Sequence, residues 1–247
     1  MSDPVIHTDK LTKRFGDFVA VDALSLTISG GEIFGFLGAN GAGKTTAIRM
    51  LTGLLAPTSG KATVAGFDLY TGAEGVKRNI GYMSQRFSLY DDLTVRENIR
   101  FFAGIYGLTN QAIKEKSCQL LESLKLVAVA DARLASLPLG WKQKLAFSVA
   151  ILHEPKIVFL DEPTGGVDPV TRRRFWDMIY EASERGLTIF VTTHYMDEAE
   201  YCDRLCIMVD GSVAALDRPE AMKQHFGVES MNEVFIQLAR PGKTEHP

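Results

Sequence analysis

The 247-residue sequence has 46% hydrophobic and 23% charged residues, the proportions of a globular domain long enough to bury a full core. Its net charge of −3 argues against a nucleic-acid binder, whose surface usually carries a basic face. No apolar run approaches the roughly 20 residues that cross a bilayer, and Met1–Lys10 lacks the apolar stretch of a signal peptide. The expectation is a chain that stays in the cytosol, so that any link to a membrane comes through a partner.

In chain order, Leu24, Leu26 and Ile28 alternate with Ser25 and Thr27, which predicts a half-buried strand. Ile33–Leu37 reads as a short buried strand running into a glycine-rich loop and a helix. Pro57, Ser59 and Gly60 are read as breaking that helix, with another strand over Lys61–Ala65. The middle of the chain is helical. Thr94 and Glu97 form a capping box before Val95, Ile99, Phe102, Ala103 and Tyr106, which share one apolar face, and Gly107 closes the helix. A second helix covers Gln111 to Lys125, and a third runs from near Gly140 to His153. Strands return at Lys156–Leu160, Thr188–Thr192 and Cys206–Val209. Between the first two, Asp168 and Pro169 are the N-cap and first position of a helix to Arg185, closed by Gly186. Residues 240–247 read as a frayed tail. The pattern is an α/β domain with a helical insertion at about residues 87–154.

Three cysteines, Cys118, Cys202 and Cys206, suit a reducing compartment rather than a disulfide framework. Cys202 and Cys206 stand four apart, as on one helical face. Without a second Cys or His pair at zinc spacing, core packing is the better reading. The Arg172-Arg173-Arg174 run reads as a solvated helix face.

Two motifs carry chemistry. Gly38-Ala39-Asn40-Gly41-Ala42-Gly43-Lys44-Thr45, followed by Thr46, is a P-loop between a strand and a helix. Its glycines let backbone N–H groups turn toward phosphate oxygens, Lys44 reaches the β- and γ-phosphates of a nucleotide, and the Thr45 hydroxyl holds Mg²⁺. Ile157–Leu160 is a buried strand ending in Asp161-Glu162. Adjacent acids are common on surfaces. After four apolar residues, and with a P-loop upstream, Asp161 reads as a Mg²⁺ partner and Glu162 as the general base for an attacking water.

The order of these motifs and of those that follow resembles the nucleotide-binding subunits of ABC transporters from residue 3 to about residue 225. The resemblance implies a P-loop NTPase core of RecA-like type, with an antiparallel β subdomain and an inserted helical signature subdomain. Residues 1–86 and 155–225 would form the core and β subdomain, 87–154 the helical subdomain, and 226–247 a C-terminal helix and flexible tail, all in one ATPase domain. It makes Gln85 the Q-loop glutamine that senses the Mg²⁺ and water site, Asp168 within Gly165-Gly166-Val167-Asp168 the D-loop, and His194 the switch histidine on the γ-phosphate. Phe15 stands where the family stacks an aromatic ring on adenine. Taken singly, Gln85 fits a solvated loop, Asp168 a helix cap, His194 a helix end, and Phe15 a core or surface aromatic. It is their joint order that carries the resemblance.

One stretch departs from the family. Where the signature Leu-Ser-Gly-Gly-Gln is expected, this chain has Leu137-Pro138-Leu139-Gly140-Trp141. Pro138 removes a hydroxyl and a backbone N–H, while Gly140 and a helix N-terminus remain to face a phosphate of the partner's ATP. This variant, with Tyr195–Glu200 after the histidine, resembles the ABC-2 exporter branch. That implies ATP and Mg²⁺ as ligands, an ABC-2 type permease and a second ATP-binding subunit (identical or a paralogue) as partners, and a peripheral place on the cytoplasmic face of the cell membrane. No nucleic acid is implied. The stretch Arg86-Phe87-Ser88-Leu89-Tyr90 would meet the permease, although its apolar side chains also suit a core. Two rivals stand beside this reading: a soluble ABC ATPase of DNA repair or translation, which usually carries a second cassette, coiled coils or basic arms, and a non-catalytic ATP-binding regulator, suggested by Pro138 alone.

Overall fold

The computed structural model describes residues 4–85 and 89–239. The expectations for residues 86–88 of the permease-facing stretch and for the tail from 240 lie outside these residues. In chain order the elements are β1 (Ile6–Phe15), β2 (Phe18–Ile28), β3 (Ile33–Gly38), α1 (Lys44–Leu51), β4 (Ser59–Val64), β5 (Phe67–Asp68), α2 (Ala73–Asn79) and β6 (Ile80–Met83). There follow α3 (Val95–Ile105), α4 (Asn110–Ser123), α5 (Leu139–Ala150), β7 (Ile157–Asp161), α6 (Pro169–Glu184), β8 (Thr188–Thr193), β9 (Arg204–Val209), β10 (Ser212–Asp217), α7 (Pro219–Phe226) and α8 (Met231–Ala239).

Six strands form one sheet in the order β10-β9-β3-β8-β7-β6. All neighbours are parallel except β10, which turns back on β9. A parallel sheet covered on both faces needs strands that are apolar throughout, and β3, β7 and β8 are buried at every position. Their alternate side chains build two separate cores. On one face Phe34, Phe159 and Phe190 stand in register across three strands, and Phe36 joins them at 5.1 Å from the Phe190 ring. α1 closes this layer with Ala47, Ile48 and Leu51. On the other face Val158, Leu160, Ile189 and Val191 pack beneath Phe147 of α5 and Phe175 and Trp176 of α6.

The second sheet, β2-β1-β4-β5, is antiparallel throughout. Between β6 and β7 the chain forms α3, α4 and α5, packed on a cluster that includes Val95, Ile99, Leu121, Leu134 and Leu145. The capping box at the start of α3 is formed in full: Thr94 Oγ1 accepts from the Glu97 N–H at 3.1 Å, and Glu97 accepts from the Thr94 N–H at 2.8 Å. Asp168 caps α6, its Oδ1 accepting from the N–H groups of Val170 and Thr171.

Several sequence expectations are corrected. α1 ends at Leu51, where Thr52 and then Gly53 at φ +71° leave the helix; Ser59 and Gly60 are not helix breakers but lie in β4. α5 stops at Ala150, three residues before His153. Cys202 and Cys206 share no helical face: Cys202 follows a 3₁₀ turn over Glu198–Tyr201 and Cys206 lies in β9, each buried in a different core cluster. Burial pushes both thiols well above their usual range, Cys206 to about 12.

The aromatic layer should dominate stability. Phe190→Ala, at its centre, is expected to cost about 3–5 kcal/mol, against about 1 kcal/mol for the surface cap change Thr94→Ala. Urea unfolding of the two variants checks this, and equal losses would contradict the ordering.

Candidate nucleotide-binding and hydrolytic site

Four parallel strands deliver the site. Their register aligns Leu37 of β3 with Thr193 of β8, Thr192 with Asp161 of β7, and Leu160 with Met83 of β6. Each strand therefore ends at the same edge of the sheet, and the segments leaving those ends carry the glycine-rich loop, Asp161-Glu162, His194 and Gln85. This is where ligands bind in open α/β sheets.

The loop after β3 leaves Ala39, Asn40 and Gly41 exposed and then enters α1. Gly43, the helix N-cap, has φ +100°, and a Cβ there would lie 2.4 Å from the Ala20 carbonyl oxygen, so only glycine fits. Gly43 offers no side-chain cap to the helix, leaving the first N–H groups of α1 open to an anion. The Lys44 ammonium donates to the loop's own carbonyls, Gly38 at 2.7 Å and Ala39 at 3.1 Å. Burial lowers the Lys44 pKa, and the charges of Glu162 and Asp161 oppose that shift. Thr45 is exposed and Thr46 half-buried at the helix start.

Asp161 is buried, and its Oδ1 accepts the Thr192 hydroxyl at 2.8 Å. Desolvation raises its pKa, the Thr192 hydrogen bond opposes this, and the neighbouring Glu162 charge reinforces it. Glu162 takes the left-handed backbone conformation, φ +49°, a strained choice for a non-glycine residue. Its N–H donates to both the carbonyl and the hydroxyl of Thr192, at 3.1 and 3.0 Å. Its Oε2 accepts the Gln85 amide at 2.9 Å and faces His194 Nδ1 at 3.1 Å. Three residues that the sequence singled out separately, 85, 162 and 194, thus meet at one oxygen.

Phe15 closes β1 with about half of its surface exposed and the Lys13 ammonium 5.2 Å from its ring centre. Pro138 is the N-cap of α5 and supplies no side-chain cap. With Leu139, Gly140 and Trp141 it borders a cleft of about 340 Å³ shared with Val167, Asp168 and Thr171. The signature stretch therefore stands beside the Asp168 loop.

The sequence reading missed the supports. Gln143, fully buried on α5, donates to the Pro163 carbonyl directly after Glu162. The Gly211 N–H donates to Ala42 O and its carbonyl accepts from Asp22, tying the P-loop to the β2 sheet; an Asp210-Gly211 pair between two apolar segments is a hairpin signal that could have been read. The Arg172–Arg174 run is corrected in part. Arg173 and Arg174 are exposed, but Arg172 is tucked in against Glu198, Asp197 and the Tyr195 ring.

The donors suit a magnesium nucleotide. Thr45, Asp161 and Gln85 offer hydroxyl, carboxylate and amide oxygens, the hard ligands that Mg²⁺ takes in small number beside phosphate and water, and the uncapped start of α1 suits the phosphates. A parallel sheet with this loop and paired acids at its C-terminal edge defines a P-loop nucleotide-binding protein.

Comparison with known proteins narrows the class. A family model described as ABC transporter matches residues 21–165. The chain is 47% identical to the probable multidrug ABC transporter ATP-binding protein YbhF of Escherichia coli, over 99% of this chain and 43% of that protein. It is 40% identical to the Nod factor export ATP-binding protein I of a Rhizobium species, over 98% of this chain and 82% of that one. A solved structure described as the ATP binding subunit of an ABC transporter superposes with a TM-score of 0.85 at 28% identity, covering 96% of this chain and 100% of that chain. The chain belongs to the ABC transporter ATP-binding family, and its fold is that of an ABC ATPase domain. It spans less than half the length of the Escherichia coli relative.

The raised Asp161 pKa has a consequence for stability. Ionising Asp161 is harder in the folded chain than in the unfolded one, so at neutral pH the charge weakens the fold, and the penalty vanishes once pH falls below the unfolded carboxylate pKa. Without metal or nucleotide, Asp161→Asn should melt at or above the wild-type temperature at pH 7, with the advantage gone near pH 3. A variant that melts lower at pH 7 would contradict the desolvated carboxylate.

Proposed function

We propose that this chain binds Mg-ATP and hydrolyses it to ADP and phosphate, as one ATPase domain driving a transporter. The observation that carries the reading is the convergence of Gln85 and His194 on Glu162 Oε2. A carboxylate that accepts the Gln85 amide and faces His194 Nδ1, at the end of a buried strand and beside a phosphate-binding loop, is placed to orient a water and take its proton.

Residues 38–46 wrap the phosphates and Lys44 neutralises the β- and γ-oxygens. Thr45, Asp161 and Gln85 serve the Mg²⁺, which when bound offsets charge on the β- and γ-phosphates. Glu162 accepts the proton as water oxygen bonds to the γ-phosphorus and the bond to the β-phosphate oxygen breaks. His194 donates to the γ-phosphate, and Phe15 stacks on adenine.

Pro138, Leu139, Gly140 and Trp141 would face the γ-phosphate of ATP held by a second ATP-binding subunit, identical or a paralogue, and Asp168 would cross the same interface. The cleft they share borders the N-terminus of α5, which fits a surface completed by another subunit. The relatives' names speak of multidrug and Nod factor export, which supports an exporter at the cytoplasmic membrane face. Tyr90 and Phe101, both exposed with ring centres 5.1 Å apart, and exposed Ile105 one turn further along α3 suit contact with an ABC-2 type permease. No described helix is long and apolar enough to cross a membrane, so in this reading the membrane path belongs to that partner.

Phosphate release by the purified chain with Mg-ATP tests the assignment. Glu162→Gln should lower kcat at least 100-fold while still binding ATP. Pro138→Ser, by restoring one hydrogen bond to charged phosphate worth about 1.5–3 kcal/mol, should raise it roughly 10- to 100-fold. A Glu162→Gln variant as fast as wild type would remove the general base. A wild type that stays silent with Pro138→Ser would favour the regulatory reading.

A further inference from the structure

Behind the hydrolytic residues lies a second, buried set of polar contacts. Glu198 is fully buried in the 3₁₀ turn after β8. Its Oε1 accepts the hydroxyl of Thr164, also fully buried, at 2.6 Å. Arg172, on the first turn of α6, brings its Nε to 3.6 Å from the same oxygen and donates from Nη1 to Asp197 Oδ2 at 3.3 Å. The Arg172 guanidinium carbon stands 3.9 Å from the Tyr195 ring centre, and Tyr195 in turn leans on His194 with ring centres 4.2 Å apart.

Each member is anchored close to a residue of the site. Thr164 follows Glu162 by two residues, Tyr195 follows His194 by one, and Arg172 follows Asp168 by four. The Arg172 carboxylate partners come from the segment after β8, which also carries His194, and the hydroxyl comes from the turn after β7, which carries Glu162. One guanidinium and one buried carboxylate thus join three segments, adding the start of α6 to the two strand ends that the Thr192 hydroxyl already ties together. Burying this charge pair is a poor route to stability, because desolvation offsets the attraction. What it fixes is geometry. Among the described residues Glu198 Oε2 and Arg172 Nε have no hydrogen-bond partner, so the pair is held by its surroundings rather than by full saturation.

We propose that Arg172, Glu198 and Thr164 are positioning residues that hold Glu162 and His194 in their shared geometry and link it to the Asp168 loop. The inference rests on the hydrolytic reading of Glu162 and His194. None of the three touches the reacting atoms. A displacement of Arg172 or Glu198 moves the Tyr195 ring and the turn after Glu162 together, and so parts His194 from the carboxylate it faces. A shift on the order of 1 Å at reacting groups costs up to about 100-fold in rate.

The test uses the full chain and two readouts. The first is the nitrogen NMR signature of the His194 ring without nucleotide, which reports whether Nδ1 remains beside the Glu162 carboxylate. The second is kcat and KM for Mg-ATP from phosphate release. Arg172→Met and Glu198→Gln should each shift the His194 signature toward that of Glu162→Gln and lower kcat about 10- to 100-fold with KM within about twofold. Arg172→Lys should recover part of both changes, and the double variant should lose little beyond either single one, because the residues act as a unit. Thr164→Val, which removes one hydroxyl without opening a cavity, repeats the test should a charge variant fail to fold. An unchanged His194 signature with unchanged kcat in folded variants overturns the proposal, as does a loss confined to KM. A wild type that releases no phosphate counts against hydrolysis alone, because the His194 signature still decides the positioning claim.

Discussion

The carboxylate of Glu162 stands where a strand buried on both faces ends, in a left-handed backbone conformation, with its N–H held by Thr192 and its Oε2 met by Gln85 and His194. Three strands must end level for that meeting to occur, and a fourth must end level to set the P-loop beside it. Gln85 arrives from β6, Glu162 from β7 and His194 from β8, and the P-loop leaves β3 on the next strand over. A slip of one residue in any pairing would turn a strand's side chains to the opposite face, undoing the core and the site together. The aromatic layer of Phe34, Phe190 and Phe159 fixes that register from within the sheet.

The strain at Glu162 is sustained from both sides of its loop. Gln143 reaches from α5, the helix that the signature stretch begins, to the carbonyl of Pro163. Glu198 reaches from the segment after His194 to the hydroxyl of Thr164. The elements that would face a second subunit, the N-terminus of α5 and the Asp168 loop opening α6, are therefore the ones tied to the turn carrying Glu162. A motion at that face would reach the carboxylate through these hydrogen bonds, as the proposed shared ATP site requires.

Much of the site was legible because its parts are local. The P-loop is contiguous, Asp161-Glu162 closes an apolar run, and His194 and Asp168 follow strands at short range. The supports were not legible, because they join residues far apart in sequence: Thr164 to Glu198, and Gln143 to Pro163. Arg172 read as one of three solvated arginines, since helical position alone does not show that a buried glutamate waits beneath it. In the fold, β1 was missed because register shifts after Thr8 break its alternation, and β6 because four residues carry too little pattern. Pro57 reads as the breaker of α1, but the helix ends at Leu51 and Gly53, in a left-handed backbone conformation, turns the chain before it.

The proposed site is shared, one chain's P-loop facing another chain's Gly140 region, with Glu162 between closure and release. Sedimentation velocity of the Glu162→Gln chain with Mg-ATP tests it most directly, since blocking hydrolysis should trap the closed pair. A shared site gives dimers with ATP, monomers with ADP, and loss of the dimer when Gly140 is replaced by a bulky residue. Monomers at saturating ATP, or dimers indifferent to the nucleotide, would contradict it.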